Sequence, residues 1–196
     1  MRRSGRRPGN QDTREAILAA ARTIFAERGF DKASIRAIAT AAEVDPALVH
    51  HYFGTKDKLF LASMEMPLDP GELVPKALDG PREEAGERLV RLVLTVWDSP
   101  AGKAAVALLR SAMSNEWTAR LLREFIVTQV LRKAIAELGM EGDDAPLRAA
   151  LAATQIGGLA VVRYILKVEP IASQDPETLV RAIAPTVQRY LVGEIS

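Results

Sequence analysis

The chain has 196 residues, of which 48% are hydrophobic and 26% charged, and its net charge is +1. This length accommodates one domain or a small domain joined to a larger one, and this composition excludes an intrinsically disordered chain. Because the sequence has no cysteine and two adjacent histidines, His50 and His51, it excludes disulfide scaffolds, thiolate nucleophiles and metal sites built on cysteine or several histidines. We therefore expect neither a metal nor a cofactor.

Two features of the sequence concern membranes. The longest uncharged stretch, between Arg148 and Arg163, has 14 residues, which is too short to span a bilayer. The N-terminal arginines are followed by Pro8 and Gly9 instead of the apolar run of a signal peptide. We expect a cytoplasmic protein with no membrane partner.

The charge is unevenly distributed along the chain. Residues 1–60 contain 11 basic and 7 acidic residues, a net charge of +4, and the remainder has a net charge of −3. This asymmetry favours a basic module that meets a polyanion, joined to a body with another task. A basic tail explains part of it, because four arginines lie in the first seven residues: Arg2, Arg3, Arg6 and Arg7. These residues could form a flexible arm in a DNA minor groove or a non-specific solubilising tail.

Hydrophobic periodicity predicts helices in the N-terminal third, with no alternation typical of strands. The predicted helices cover residues 13–28, 34–42, 46–53 and 56–64. Each follows or starts at a residue whose side chain can accept from free amides at a helix start: Asp12, Ser34, Asp45 and Thr55. The second and third helices are short and separated by a tight turn, which is typical of a helix-turn-helix unit. Such a unit places its second helix in the DNA major groove.

The remaining chain is predicted to form a helical body. Prolines and glycines break any long helix between residues 66 and 81. The predicted helices beyond this segment cover residues 82–98, 101–113, 116–138, 146–168 and 176–192, and Pro185 is expected to kink the last. The fold class is therefore all-α with about nine helices. Its domains are a flexible arm (1–12), a helix-turn-helix domain (13–65), a linker-like segment (66–81) and a helical body (82–196). The segment 66–81 is either a true linker or an irregular start of the body.

The helix predicted over residues 46–53 carries the candidate DNA contacts. Val49 and Phe53, four residues apart, are expected to face the core. Ala47 permits close approach to the duplex, Leu48 can contact a thymine methyl, and the polar rings can donate to phosphates or base edges. Lys56 adds its charge to the exposed amides at the next helix start, which makes an anion site. The side chains left for the DNA are Ala47, Leu48, His50, His51 and Tyr52.

The segments TREAILAAARTIFAERGF and SIRAIATAAEVDPALVHHYFGTKDKLF resemble the tetracycline-repressor (TetR) family of bacterial regulators. The resemblance covers about residues 13–60. It implies an all-helical homodimer, in which each subunit has a DNA-binding head and a larger body, so that residues 82–196 form an effector-binding and dimerisation domain. It also implies phosphate contacts at Ser34, Tyr52 and Lys56. With the positions that approach bases or phosphates, the candidate DNA-binding residues are Ser34, Arg36, Asp45, Pro46, Ala47, Leu48, His50, His51, Tyr52 and Lys56.

This chain departs from the family pattern at three positions. Glu43 stands where the turn usually has glycine, Ala47 where the recognition helix often has glycine, and Gly54 where proline is frequent. The first departure bears on backbone geometry, because a glutamate is strained in the left-handed conformation that glycine adopts freely.

In the body, Trp117, Leu121 and Phe125 form an i, i+4, i+8 stripe. A plain core explains this pattern, but an apolar effector cavity does so too. The candidate pocket residues are Trp97, Arg110, Met113, Trp117, Leu121, Phe125, Gln129, Gln155 and Tyr164.

The helix predicted over residues 146–168 is apolar on more than one face. It could be the central helix of a monomer, but we favour a homodimer interface shared with the last helix. The candidate interface residues are Leu151, Gly158, Val162, Leu179, Ile183, Val187 and Leu191.

The predicted function is sequence-specific transcriptional regulation. We expect a cytoplasmic homodimeric repressor that binds a pseudo-palindromic operator on double-stranded DNA and leaves it when a largely apolar small molecule binds. An architectural DNA-binding protein without operator specificity is the alternative, and a protein-binding adaptor role remains open in addition. We do not expect an enzyme, because the chain has no cysteine, both histidines lie in the candidate recognition helix and no nucleophile–base spacing is present. The sequence does not specify the effector, the operator or the regulated genes.

Overall fold

The computed structural model describes residues 10–66 and 68–193, and all regular elements in these ranges are helical. Apart from the short 3-10 helix Arg82–Glu84, the described residues form ten helices: α1 (Asn10–Lys32), α2 (Ile35–Ala41), α3 (Pro46–Phe53), α4 (Lys56–Ser63), α5 (Pro70–Leu78), α6 (Ala85–Asp98), α7 (Pro100–Ser114), α8 (116–137), α9 (Ala145–Leu166) and α10 (Pro176–Val192). A π-helical turn, Ile126–Leu131, interrupts α8, and another, Val161–Leu166, ends α9.

The predicted DNA-binding head, called the head below, consists of α1–α4, and its helices begin largely where the sequence predicts. Ser34 Oγ accepts from the Ala37 amide at 3.1 Å, and Asp45 Oδ1 accepts from the Ala47 amide at 2.7 Å. These bonds satisfy amides that an unprotected helix start leaves free. The start of α1 differs from the prediction, because helix already includes Asn10 and Asp12 lies within its first turn. The predicted arm is correspondingly shorter than residues 1–12.

The core of the head extends into the body. Phe60 packs edge-on against Phe25, with ring centroids 4.8 Å apart, and its centroid lies 5.3 Å from that of Phe30. Leu121 and Phe125 of α8 belong to the same buried cluster. The head is therefore packed directly on a body helix.

The predicted linker contains a helix. Asp69 caps α5 by accepting from the Gly71 amide at 2.8 Å, and Pro70 occupies the first turn, where a missing amide costs nothing. Val74 and Leu78 are buried in the core of the body, and this burial offsets the hydrogen bond lost at Pro75. Residues 70–78 are thus the first helix of the body, whereas the sequence left open whether the segment 66–81 is a linker or an irregular start of the body.

The body core lies mainly between α6, α9 and α10. Gly86 lets α6 approach α10 closely, because a Cβ at this position would lie 2.6 Å from the Gln188 amide nitrogen. The Gln188 side chain accepts from the Gly86 amide and donates to the Arg82 carbonyl, both at 2.7 Å. α10 continues through Pro185 without interruption.

Part of the predicted dimer interface is wrong. Leu179, Val187 and Leu191 are 3%, 0% and 1% exposed within one chain, so no second chain can reach them. The apolar stripe of α10 faces α6 and α9 instead, since a helix buries its apolar face wherever the chain itself offers a partner.

Helix α9 has an apolar surface that the chain leaves largely uncovered. Among the described residues, it is the single continuous helix whose length and composition would suffice to cross a membrane, and only 22% of its apolar window is buried. A second helix of this kind is found only if the segments Arg82–Asp98 and Pro100–Ser114, which meet at an angle of 90°, are counted as one span. Arg148 donates to the carbonyls of Tyr190 and Leu191, and Arg163 donates to those of Ile171 and Gln174. Both ends of α9 are thereby tied to the body.

Candidate DNA-binding surface and body cavity

The outer face of α3 is open to solvent. Val49 and Phe53 are 1% and 7% exposed and face the core, as predicted. Leu48 is 39% exposed although it is a large apolar residue. The other candidate contacts in α2, α3 and their caps are exposed, except for the half-buried Pro46 and Tyr52: Ser34, Arg36, Asp45, Ala47, His50 and His51. The predicted arm residues Arg2, Arg3, Arg6 and Arg7 lie outside the described residues.

The turn between α2 and α3 depends on a left-handed residue. Glu43 has a φ of 55°, the left-handed conformation that glycine adopts freely, so the turn keeps this geometry although glutamate replaces glycine. Its amide donates to the Thr40 carbonyl at 3.2 Å, and the Val44 amide donates to the Ala39 carbonyl at 2.9 Å. This geometry ends α2 and redirects the chain into α3.

Replacing Glu43 with glycine is expected to raise the free energy of unfolding by about 1 kcal/mol, because it removes the side-chain clash of the left-handed conformation. Glu43→Ala is the control, since it removes the carboxylate but keeps the clash. Urea unfolding of both variants measures the difference. Equal stability of the glycine and alanine variants would contradict this account of the turn.

The end of α3 is formed by Gly54 and three aromatic residues, His50, His51 and Tyr52. His50 Nδ1 lies 3.0 Å from the Gly54 carbonyl oxygen, and Gly54 has φ 73° and ψ −70°. Proline, with its φ fixed near −65°, cannot adopt this conformation, so the departure at Gly54 has a backbone consequence. Tyr52 packs edge-on against His51, with centroids 5.5 Å apart, and rests on the core of the head. Its phosphate contact remains a prediction.

Lys56 has structural partners that the sequence did not reveal. Its ammonium donates to the carbonyls of Phe30 and Ala33 at 2.9 and 3.2 Å. It also lies 4.3 Å from the centroid of the Phe30 ring, a favourable cation–π arrangement. Two of its three N–H groups are therefore used within the head, where they tie α4 to the α1–α2 connection. Only the third N–H group remains for the predicted phosphate contact.

Helix α8 makes polar contacts with the head through Glu124 and Gln129. Glu124 Oε2 accepts from the amide of Phe30 at 2.8 Å. Gln129 Nε2 donates to Asp57 Oδ1 at 3.2 Å and to the neighbouring Thr128 hydroxyl oxygen. Gln129, predicted as a pocket anchor, thus faces the head, which corrects that prediction. Its position within the π-helical turn is set by tertiary packing, which a regular helical pattern does not describe.

A third contact joins the same two elements. Arg132 of α8 forms a two-pronged ion pair with Asp31, with nitrogen–oxygen distances of 3.0 and 2.8 Å. The hydrogen bonds from this guanidinium hold the pKa of the Asp31 carboxyl below its usual value. Glu124, Gln129 and Arg132 together are called the α8–head contacts below.

A cavity of about 300 Å³ lies inside the body next to the α8–head contacts. Its wall is formed by side chains from α5–α10 and from the segment before α5, and all of its lining residues are apolar or glycine. Trp97 and Phe125, both predicted as pocket residues, line it. The other residues that the argument below uses are Met66, Leu68, Ala105, Ile126, Val130 and Ala153.

The remaining predicted pocket residues lie elsewhere. Met113 and Trp117 are 72% and 37% exposed near the α7–α8 turn, and Leu121 is buried in the core of the head. Arg110 is exposed and Gln155 half-buried, and neither lines the cavity. The i, i+4, i+8 stripe therefore does not identify the cavity wall. It identifies one face of α8 but not which other helices cover each part of that face.

Tyr164 supports the cavity from behind. Its ring stacks on Trp97 with centroids 5.4 Å apart, and its hydroxyl donates to Asp98 at 2.9 Å. Burial, together with this hydrogen bond, raises the pKa of Tyr164 to about 12. Tyr164 is thus a positioning residue for the Trp97 wall.

A tyrosine absorbance titration is expected to show one phenol ionising near pH 12 that Tyr164→Phe removes. Because the folded-state pKa lies above the unfolded value of 10.0, the associated stability is present below pH 10 and is lost as the pH rises towards 12. Asp98→Asn should lower the pKa of Tyr164, since it removes the negative charge beside the phenol. An unchanged high-pH step in Tyr164→Phe would disprove the assignment.

Two short helices joined by a tight turn, the second with an exposed outer face, define a helix-turn-helix DNA-binding protein with a separate ligand-sized cavity in its body. The family model described as bacterial regulatory proteins, tetR family, matches residues 17–63, and the model of the tetracyclin repressor-like C-terminal domain matches residues 83–191. The second match alone covers more than half of the chain. The chain belongs to the TetR family of bacterial transcriptional regulators, and this family membership identifies it as a regulator and not as an enzyme.

Relatives extend the similarity over both parts of the chain. The HTH-type transcriptional regulator BetI of Rhizobium meliloti is 33% identical over 169 residues, which cover 81% of each chain. BetI of Brucella anthropi is 40% identical over 116 residues, or 56% of this chain and 59% of the relative. A TetR-family regulator of Streptomyces coelicolor A3 is 41% identical, with coverage of 96% and 99% and a TM-score of 0.48. The multidrug binding protein EbrR, solved with proflavin, shares the fold at 18% identity, with coverage of 89% and 99% and a TM-score of 0.50.

Proposed function

We propose that the protein is a cytoplasmic repressor that leaves its operator when a small-molecule effector occupies the body cavity. The arrangement of α8 carries this proposal. Phe125, Ile126 and Val130 line the cavity, whereas Glu124 and Gln129 of the same helix hold the head. A molecule in the cavity therefore touches the helix that positions the DNA-binding surface.

The connection between head and body provides a second route. Met66 and Leu68, which follow α4, also line the cavity. An effector that fits a body conformation with displaced heads lowers operator affinity by its differential affinity for the two conformations. EbrR, which shares the fold, is a multidrug binding protein solved with proflavin, and this supports a ligand-binding role for the body.

We further propose that the protein acts as a homodimer through α9. Leu147 and Leu166 are 55% and 61% exposed, and a Cβ at Gly158 would have open space around it. Leu151 and Val162, at helical spacing between these positions, are half-buried. A second α9 packed on this face would cover apolar surface and allow close backbone approach. The resulting two-fold symmetry suits a pseudo-palindromic operator.

Operator binding tests the proposed function. A gel-shift titration on the DNA flanking the gene is expected to give a specific complex, and sedimentation should show two chains in it. Arg36→Ala should weaken this complex by about tenfold or more and reduce the salt dependence by about two units, one for each of the two chains, because Arg36 is exposed on the candidate surface.

Arg120→Ala is the matched control, since it removes an equal charge from an exposed site on α8 and should leave operator affinity unchanged. Titration with unrelated competitor DNA separates a regulator from an architectural DNA-binding protein. Equal affinity for all duplexes would contradict the proposed function and favour the architectural alternative.

A further inference from the structure

We infer that the effector is a neutral, hydrocarbon-rich molecule without a charged group. The inference deepens the proposed function, because it assumes that the body cavity is the effector site. The wall of the cavity contains no carboxylate, ammonium, guanidinium, hydroxyl or amide side chain among the described residues. A charge brought into such a wall loses its water and gains neither a hydrogen bond nor a counter-ion from a side chain, and the rings of Trp97 and Phe125 return to a cation only part of that loss.

Two polar side chains beside the wall, Gln129 and Tyr164, direct hydrogen bonds away from it. Gln129 adjoins the lining residue Val130 in sequence, and its amide nitrogen is bonded to Asp57 and Thr128, while its amide oxygen is buried without a hydrogen-bond partner among the described residues. Tyr164 contacts the cavity residue Trp97 through its ring and directs its hydroxyl to Asp98. Neither side chain is a lining residue. The hydrophobic effect and shape are therefore left as the main sources of affinity.

The volume limits the size of the molecule. About 300 Å³ lies at the lower end of the range for ligand sites, roughly 300–1,000 Å³. Ala105 of α7 and Ala153 of α9 contribute small side chains to the wall and are half-buried. Larger residues there would occupy the space that the ligand needs.

The two tryptophans of the chain provide a site-specific test. Trp97 lines the cavity, whereas Trp117 lies outside it and is 37% exposed. In Trp117→Phe the remaining indole reports on the wall, and in Trp97→Phe it reports on the outer surface. Titration with straight-chain alcohols from hexanol to dodecanol should give a saturable fluorescence change in Trp117→Phe only. Affinity should rise about fourfold per methylene and stop rising once the chain fills the cavity.

Charge is tested at constant chain length. At neutral pH, decanoate and decylammonium are expected to bind at least about 100-fold more weakly than decanol. Ala105→Phe should weaken decanol binding, and Ala105→Ser, which keeps the volume, should weaken it much less. The inference is overturned if either charged probe binds as tightly as decanol, or if decanol gives no saturable signal from Trp97.

Measuring the operator affinity of the same protein preparations distinguishes a failure of the inferred ligand class from a failure of the proposed DNA-binding function. A protein that binds a specific DNA fragment but not decanol refutes the inferred ligand class and leaves the proposed DNA-binding function standing. A protein that binds decanol beside Trp97 but no DNA specifically supports the ligand class and refutes the proposed function.

Discussion

Replacing Lys56 with alanine is expected to lower the free energy of unfolding by about 2 to 3 kcal/mol, although the residue is only half-buried. Its ammonium donates to the carbonyls of Phe30 and Ala33 and lies over the Phe30 ring. Hydrogen bonds from a charged donor contribute about 1.5–3 kcal/mol, and alanine would leave both carbonyls without this donor. Chemical unfolding monitored by circular dichroism measures the loss.

Lys58→Ala is the matched control, because Lys58 lies two residues away, is exposed and carries an equal charge. It should change stability by less than about 0.5 kcal/mol. Gel shifts at a temperature where both variants are folded then isolate the DNA contribution of the third Lys56 N–H group. A Lys56→Ala protein as stable as Lys58→Ala would show that the internal contacts contribute nothing.

The sequence predicted those parts of the fold that depend on neighbouring residues. Ser34, Asp45 and Thr55 cap the helices expected of them, since capping requires only a side chain and an amide two or three residues apart. The exposed face of α3 followed from helical spacing. Such features are encoded locally.

Contacts between distant segments could not be predicted in this way. Lys56 pairs with residues more than twenty positions earlier, and Gln129 reaches Asp57 across 72 positions. The helix at Pro70–Leu78 was missed because its stability comes from burial of Val74 and Leu78 by helices far along the chain. Periodicity identifies an apolar face but not its partner.

The same limit explains the errors in the body. The apolar face of α10 was assigned to a partner chain, but α6 and α9 cover Leu179, Val187 and Leu191. The polar residues among the candidate pocket residues, Arg110, Gln129 and Gln155, do not line the cavity, and Gln129 instead donates a hydrogen bond to Asp57 of the head. Helix α8 is thus shared between two sites, with its cavity side and its head side separated by a fraction of a turn. This arrangement makes the α8–head contacts the place to test communication between the sites.

Replacing Glu124 with alanine is expected to destabilise the protein by about 1–3 kcal/mol, since the Phe30 amide loses the acceptor that holds it at 2.8 Å. Glu124→Gln keeps a side-chain oxygen at this position and should lose less than half as much. Because Glu124 lies next to the cavity residue Phe125, the alanine variant should also reduce the effect of a cavity ligand on operator affinity, with little change in ligand binding by Trp97 fluorescence. Thermal unfolding and operator titrations with and without decanol measure both effects. Wild-type stability together with undiminished ligand response in Glu124→Ala would show that the head is not held or controlled through this contact.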